Sequence, residues 1–276
     1  MATKKAASST KKAPSRTSAR GKTTKKTVKS APAAATKNTF VGSVQASVRS
    51  LDFWRSLGAE LIGTFLLASV VIAGQGQPIF VLFALVGIVL MIGAISGAHV
   101  NPAITIGAWV TRRIGWLRAI SYIVVQCLGA ALAFFALNAF VSGAASDETS
   151  LFSAAPTLFQ AVDVATLTGK EWFLFFSELL GTGILAFAIA NATREAQDRT
   201  AAAFTAGLGI FIALMVAVSS ASYVGGTAII NPAIAVALQG YGEFWSYAIY
   251  AIAPIIGGAL GFIIYDLVRG RQMVSK

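Results

Sequence analysis

The chain has 276 residues, of which 56% are hydrophobic and 12% are charged. This composition excludes an ordinary soluble domain and is typical of a protein that crosses a membrane several times. The net charge of +11 does not by itself indicate a nucleic-acid-binding domain, because thirteen of the 22 Lys and Arg residues fall within residues 1–55.

Residues 1–50 form a segment rich in Lys, Ala, Ser, Thr and Pro, with few large apolar side chains. We expect this basic N-terminal tail to be disordered. No apolar run begins until Leu61, which is too far from the early lysines for a cleavable signal peptide. The tail is either a solvated topology anchor or an arm that contacts anionic lipid or nucleic acid.

Six apolar spans follow, each near the roughly 20 residues needed to cross a hydrocarbon core. They cover residues 56–75, 78–96, 115–140, 171–192, 201–222 and 244–268. Two shorter apolar pieces, 101–110 and 231–240, follow the second and fifth spans. Each would be a helix about 15 Å long, so two laid end to end would cover the roughly 30 Å core.

The charged residues between the spans predict the orientation in a cell membrane. Eight cations fall on the same side as the tail: Arg112, Arg113, Arg118, Arg194, Arg199, Arg269, Arg271 and Lys276. Twenty-one of the 22 cations then share one face, and only Lys170 lies opposite. This asymmetry predicts that both termini are cytoplasmic and that the connection 141–170 is external.

The predicted membrane domain, residues 51–270, contains an internal repeat. Residues 59–64 (AELIGT) in repeat one, 51–140, recur as residues 177–182 (SELLGT) in repeat two, 171–268. Because each half has an odd number of spans, the second copy must be inverted in the membrane. Inversion directs the N termini of the two short helices, each with roughly half a unit of positive charge, at one central region.

An Asn-Pro-Ala triplet begins each short helix, with Asn at the N-cap and Pro at the first helical position. The six residues are Asn101, Pro102, Ala103, Asn231, Pro232 and Ala233. A helix start at membrane depth leaves N–H groups that lipid cannot satisfy, at a cost of roughly several kcal/mol each. The paired triplets therefore predict a water-filled path.

The pattern Glu-x-x-Gly-Thr, Ser-Gly-Ala-His-x-Asn-Pro-Ala and a second Asn-Pro-Ala resembles the major intrinsic protein family of aquaporins and glycerol facilitators, over about residues 56–268. The resemblance implies an all-α membrane protein with six transmembrane helices, two re-entrant half-helices and two inverted three-helix repeats. It also implies a homotetramer with one single-file pore in each protomer and passive flow of water or small neutral solutes. Asn101 and Asn231 would donate hydrogen bonds to one central water or solute oxygen.

The resemblance also implies roles for the buried polar residues. Glu60 and Glu178 would hold the backbone of the re-entrant loops, and His99 would pack at the cytoplasmic vestibule. The alternatives are a proton relay through the two glutamates and a pH gate at His99.

A second constriction, near the external mouth, is where the sequence departs from the family. Its four positions, by spacing from the triplets, are Val81, Ser219, Ala228 and Ile234. Family members usually carry Arg at the last position and an aromatic residue at the first. We therefore expect a wider, mostly apolar filter with Ser219 as its main polar side chain, which would admit glycerol, urea or ammonia besides water.

One His, one Cys and no clustered acids argue against an enzyme, a metal site or a bound cofactor. Two alternatives to a passive channel stay open. One is a gated transporter built on inverted repeats, and the other is a non-conducting structural membrane protein with a lipid- or nucleic-acid-binding tail.

Overall fold

The computed structural model describes residues 40–144, 157–194 and 198–270. Its helices are α1 Phe40–Arg49, α2 Leu51–Ala73, α3 Pro78–Ser96, α4 Pro102–Val110, α5 Trp116–Ala144, α6 Glu171–Arg194, α7 Arg199–Ser222, α8 Pro232–Ala237, α9 Phe244–Tyr247 and α10 Ala253–Arg269. A 3-10 turn, Val164–Leu167, precedes α6, and a π-helical turn, Ala248–Ile252, joins α9 to α10. In the described ranges, six helices are long and apolar enough to cross a membrane, which confirms the all-α fold with six spans.

The N-terminal segment differs from its prediction. Helix α1 occupies ten of the last eleven residues of the segment expected to be disordered, and the Trp54 indole donates to the Val48 carbonyl at 2.7 Å. Residues 1–39 lie outside the described residues, as do Asp147 and Glu148 of the predicted external connection.

The two halves of the chain pack in the same way. Helix α2 packs on α3 and α5, while α6 packs on α7 and α10, and the halves meet along α3 and α7. The short helices are exchanged between the halves, because α4 packs chiefly on α10 and α8 on α5. Each half therefore holds the short helix of the other.

This topology gives the bundle two ends, which we name by their residues. The basic face carries Arg112, Arg113, Arg118, Arg194, Arg199 and Arg269. The loop face carries the α2–α3 turn, residues 74–77, and the segment 157–170.

Glycines allow the spans to cross at backbone contact. A side chain at Gly129 on α5 would overlap the Leu61 carbonyl oxygen of α2, and one at Gly257 on α10 would overlap the Leu179 carbonyl oxygen of α6. The two glycines are 128 residues apart, so the same crossing occurs in both halves. Close approach of this kind is what stabilises helix pairs in lipid, where the hydrophobic effect is weak.

We expect Gly257→Val to lower the free energy of unfolding in detergent by about 1–3 kcal/mol, because overpacking would force α6 and α10 apart. Thermal unfolding of the purified protein measures the change. Gly87→Val on α3 is the matched control, since a Cβ at Gly87 meets nothing within 4 Å. Equal melting temperatures for the two variants would contradict the role given to the crossing.

Each short helix is followed by a residue in the left-handed conformation. This residue is Arg112 (φ +60°) after α4 and Gln239 (φ +55°) after α8. In each case the next backbone N–H returns to the helix, from Arg113 to the Ala108 carbonyl and from Gly240 to the Ala235 carbonyl, both at 2.8 Å. The second short helix is consequently six residues long, shorter than the predicted piece 231–240.

The π-helical turn before α10 has a local cause. Pro254 lacks the N–H that would donate to the Tyr250 carbonyl, so an α-helical bond is missing there. The Tyr241 hydroxyl donates to this carbonyl at 3.1 Å and to the Pro232 carbonyl at 3.0 Å. Burial raises the pKa of the Tyr241 phenol above its ordinary value, so it stays a neutral donor. The turn is thereby tied to the start of α8.

Candidate pore

The two Asn-Pro-Ala triplets cap the short helices as the sequence predicts. The Asn101 side-chain oxygen accepts from the Ala103 backbone N–H at 2.8 Å, and the Asn231 oxygen accepts from the Ala233 N–H at 3.0 Å. The oxygen of each amide is therefore turned toward its own helix. The nitrogen of each amide therefore faces the opposite half of the chain.

The amide nitrogens join the halves. Asn101 Nδ2 donates to the Ile230 carbonyl at 3.0 Å, and Asn231 Nδ2 donates to the Val100 carbonyl at 2.9 Å. Both Asn residues are 3% exposed. The N termini of α4 and α8 are thus locked together by two reciprocal hydrogen bonds between residues about 130 positions apart.

The residue before each Asn has an unusual backbone. Val100 has φ +42° and Ile230 has φ +51°, in the left-handed region that β-branched residues rarely adopt. Such strain costs roughly 1–3 kcal/mol and persists only where neighbouring groups fix it. Here the left-handed turn directs each carbonyl at the Asn of the opposite half.

The buried glutamates fix these turns. Glu60 accepts from the backbone N–H groups of His99 at 2.9 Å and Val100 at 2.7 Å. Glu178 accepts from the N–H groups of Ile229 and, at 2.7 Å, Ile230. Each carboxyl therefore takes two backbone N–H groups that the lipid core could not satisfy.

The first half adds a polar network that the second lacks. Gln126 Nε2 donates to Glu60 Oε2 at 2.8 Å and to Thr105 Oγ1 at 3.0 Å. The position equivalent to Gln126, 128 residues on, is Pro254, which has no side-chain donor. Glu178 is consequently held by fewer polar side chains than Glu60.

His99 lies at the inner end of a cavity of about 1190 Å³ that opens on the basic face. Its Nδ1 is 3.2 Å from Thr105 Oγ1, and its ring meets Tyr122 edge to face at 5.5 Å. The side chain is 8% exposed and packed on two sides. This arrangement agrees with the packing role expected for it.

Arg113 closes one wall of the basic-face cavity. Its guanidinium donates to Asp266 at 2.8 Å and to the Ala190 carbonyl at 2.9 Å, and Arg194 reaches the same Asp266 oxygen at 3.1 Å. Burial lowers the pKa of Arg113, and the Asp266 carboxylate opposes that shift. These contacts tie the end of α4 to the ends of α6 and α10.

A second cavity, of about 250 Å³, opens on the loop face and reaches Asn231. Three of the four predicted filter residues line it: Val81, Ala228 and Ile234. None of the described residues in its lining is charged. The cavity is therefore an apolar funnel that ends at a polar amide.

The fourth filter position was predicted wrongly. Ser219 is exposed on the outer side of α7, and Val218 lines the cavity in its place. Leu214 and Val218 are one helical turn apart on the cavity side, and Ser219 lies about 100° further round the helix. The same four-residue apolar spacing occurs on two faces of α7, as Ile210, Leu214 and Val218 and as Leu208, Ile212 and Val216, so no local signal would have selected the correct position. With Val218 in place of Ser219, the four filter positions are all apolar.

Two further residues at the funnel were not found from the sequence. Phe159, in the segment 157–163, contributes its ring to the lining. Tyr250 holds the loop before α8, because its hydroxyl donates to the Thr227 carbonyl at 3.0 Å. Neither contact has a local signal in the sequence, since each depends on how distant segments meet.

Comparison with known proteins gives a family match over most of the chain. The family described as Major intrinsic protein matches residues 47–265. Among curated proteins, the human lens fiber major intrinsic protein is 32% identical over 246 residues, covering 83% of this chain and 86% of its own. Aquaporin NIP3-1 of Oryza sativa subsp. japonica is 31% identical over 246 residues, covering 83% of this chain and 73% of its own.

A solved structure shares the fold. The aquaglyceroporin from Plasmodium falciparum superposes with a TM-score of 0.58 at 19% sequence identity, covering 79% of this chain and 97% of that protein. This likeness concerns the arrangement of the helices.

Proposed function

Because the chain belongs to the major intrinsic protein family of membrane channels for water or small solutes, which are not enzymes, we propose that it is a passive channel for water and other small uncharged solutes. The pore centre lies at Asn101 and Asn231. The observation that carries the proposal is the pair of Asn amides, each bonded to a carbonyl of the opposite half, with an uncharged funnel that reaches Asn231.

The amides provide the polar centre of the path. An amide nitrogen carries two N–H groups, and the hydrogen bonds among the described residues use one on each Asn. The second N–H of each can donate to an oxygen atom in the pore. A water molecule held by two donors turns its own hydrogens outward in both directions, which interrupts a proton wire. The N termini of α4 and α8 disfavour cations at the same place.

The funnel favours neutral solutes over ions. Val81, Val218 and Ile234 cannot replace the hydration shell of an ion, and no described lining residue attracts one by charge. The polar groups on the way to Asn231 are the side chains of Gln75, Gln77, Ser222 and Thr227 and the backbone. Small polyols, urea or ammonia are the further solutes that such a lining would pass.

The distribution of charge supports an orientation of the protein in the membrane, and membership of the family supports an oligomeric state. The basic face carries six described arginines and is assigned to the cytoplasmic side of a cell membrane, with the loop face external. A homotetramer with one pore per protomer is the assembly proposed. Large apolar side chains on the outer surfaces of α3 and α7, such as Phe83 and Ile212, would face lipid or a neighbouring subunit.

Stopped-flow light scattering of liposomes containing the full chain tests the function. Under a sucrose gradient, we expect faster shrinkage than in empty liposomes, and under a glycerol gradient, faster recovery of volume. Asn101→Leu with Asn231→Leu removes both amide donors at similar side-chain size, so both rates should fall toward those of empty liposomes.

Asn138→Leu is the matched control, because Asn138 is exposed on α5 far along the chain from both triplets. Size-exclusion chromatography checks that each variant is folded, since losing an N-cap costs about 1 kcal/mol. Wild-type liposomes that pass neither water nor glycerol would contradict the proposal.

A further inference from the structure

The segment 157–163 is bound to the second re-entrant element. The Ala161 N–H donates to the Leu238 carbonyl at 2.9 Å, at the end of α8. The Val162 N–H donates to Thr227 Oγ1 at 3.1 Å, in the loop before α8. The segment therefore has two fixed points on either side of the pore-forming helix.

These fixed points hold the Phe159 ring at the mouth of the funnel. The ring lies over Gly76 in the α2–α3 turn, where a Cβ would meet ring carbons Cε1 and Cζ at 2.7 and 2.8 Å. Gly76 has φ +67°, so glycine suits both the turn and the contact. The ring is partly buried and packs against the central core. Its place in the mouth is thus defined by three separate chain segments.

Phe159 is the largest side chain among the described residues that line this funnel. The other walls near it are aliphatic, with Val81 on α3, Val218 on α7 and Ile234 on α8. The ring is a rigid plane, held in place by its contact with Gly76 and by the two backbone hydrogen bonds of its segment. The largest side chain of the described funnel lining therefore comes from outside the six spans.

We propose that Phe159 determines specificity by limiting the size of the neutral solutes that enter the pore, so that it discriminates water from three-carbon and larger polyols. This proposal rests on the channel function proposed above. The discrimination is steric, because the ring offers no hydrogen bond to a polyol hydroxyl group.

The test compares permeability ratios in proteoliposomes, measured as glycerol flux divided by water flux. Phe159→Ala should raise the ratio by about tenfold, the lower end of what a methylene-sized difference gives in an apolar pocket. Phe159→Trp should lower it, a change in the opposite direction that a damaged fold would not produce. Phe140→Ala is the matched control, since Phe140 is 77% exposed at the loop-face end of α5, and it should leave the ratio unchanged.

Equal ratios for wild type, Phe159→Ala and Phe159→Trp, with water still conducted, would overturn the role of Phe159 and leave the channel function standing. A wild-type protein that conducts neither solute would overturn both proposals. A ratio that rises equally in Phe159→Ala and Phe140→Ala would also overturn the role, because the effect would then not depend on the mouth.

Discussion

Replacing Glu178 by Ala is expected to abolish water conduction and to remove most of the yield of folded protein. The carboxyl group is fully buried and accepts the backbone N–H groups of Ile229 and Ile230. Its loss leaves two buried donors unpaired, at about 1–3 kcal/mol each. It also releases the left-handed turn at Ile230, whose carbonyl holds the Asn101 amide. Since native proteins are stable by only about 5–15 kcal/mol, this loss is a large share of the total.

The measurements for Glu178→Ala are the yield of monodisperse protein, its thermal unfolding and the shrinkage rate of proteoliposomes. Glu171→Ala is the matched control, because Glu171 lies on the same helix, in the first turn of α6 at the loop face. Glu178→Gln keeps one acceptor oxygen and should lose less than Glu178→Ala. If Glu178→Ala conducted water as well as Glu171→Ala, the carboxyl group would not be what holds the loop.

Replacing Ile234 by Arg is expected to restrict the pore to water. Ile234 is 3% exposed and lines the funnel beside Asn231. An arginine there would bring a fixed positive charge and five N–H donors into a cavity of about 250 Å³ whose described lining has no acid. The side chain would occupy space that a polyol needs and would keep bound water around its charge. We expect glycerol permeability to fall by about tenfold, equivalent to about 1.4 kcal/mol of added barrier, with water flow largely retained.

Paired stopped-flow measurements with sucrose and with glycerol check the Ile234 prediction. Ile234→Met is the matched control, because it adds length without charge and separates the two effects. Unchanged glycerol flow in Ile234→Arg would mean that the narrowest part of the path lies elsewhere.

The two predicted changes act on different parts of one arrangement. Glu178 binds the backbone that positions the Asn101 and Asn231 amides, whereas Ile234 lines the pore itself. A channel that lost Glu178 should therefore lose all flow, whereas one that gained Arg at position 234 should change its selectivity.

Much of the fold was predictable because its determinants are local. The length and polarity of each apolar span fix a membrane helix, and all six predicted spans are helical. Asn followed by Pro begins α4 and α8 at the predicted residues, because a cap and a first helical position are chosen by neighbours in the chain. The internal repeat pointed to Glu60 and Glu178 as a pair, and each accepts the backbone N–H groups of the two residues before its Asn.

The errors occur where distant segments decide the outcome. Ser219 was assigned by counting back from Asn231. The residue that faces the funnel is its neighbour, Val218. The helical piece 231–240 ends early because Gln239 turns left-handed and Gly240 packs against the Tyr250 ring. Helix α1 was included in the predicted disordered tail although its sequence, FVGSVQASVR, has one Phe, three Val and no Lys, unlike the basic residues before it.

The sequence by itself determined the six spans, the two helix starts, the paired glutamates and the apolar Ile234 that follows the second Asn-Pro-Ala, since each is a property of residues close together in the chain or of a repeat. Only the tertiary structure decided that each Asn amide binds the carbonyl of the opposite half, that Val218 faces the path and that Phe159 stands at its mouth. Those contacts join residues from different helices and loops, so they depend on how distant segments pack, as the docking of the segment 157–163 on α8 does. A sequence pattern can identify such residues, but it does not give the distances between them.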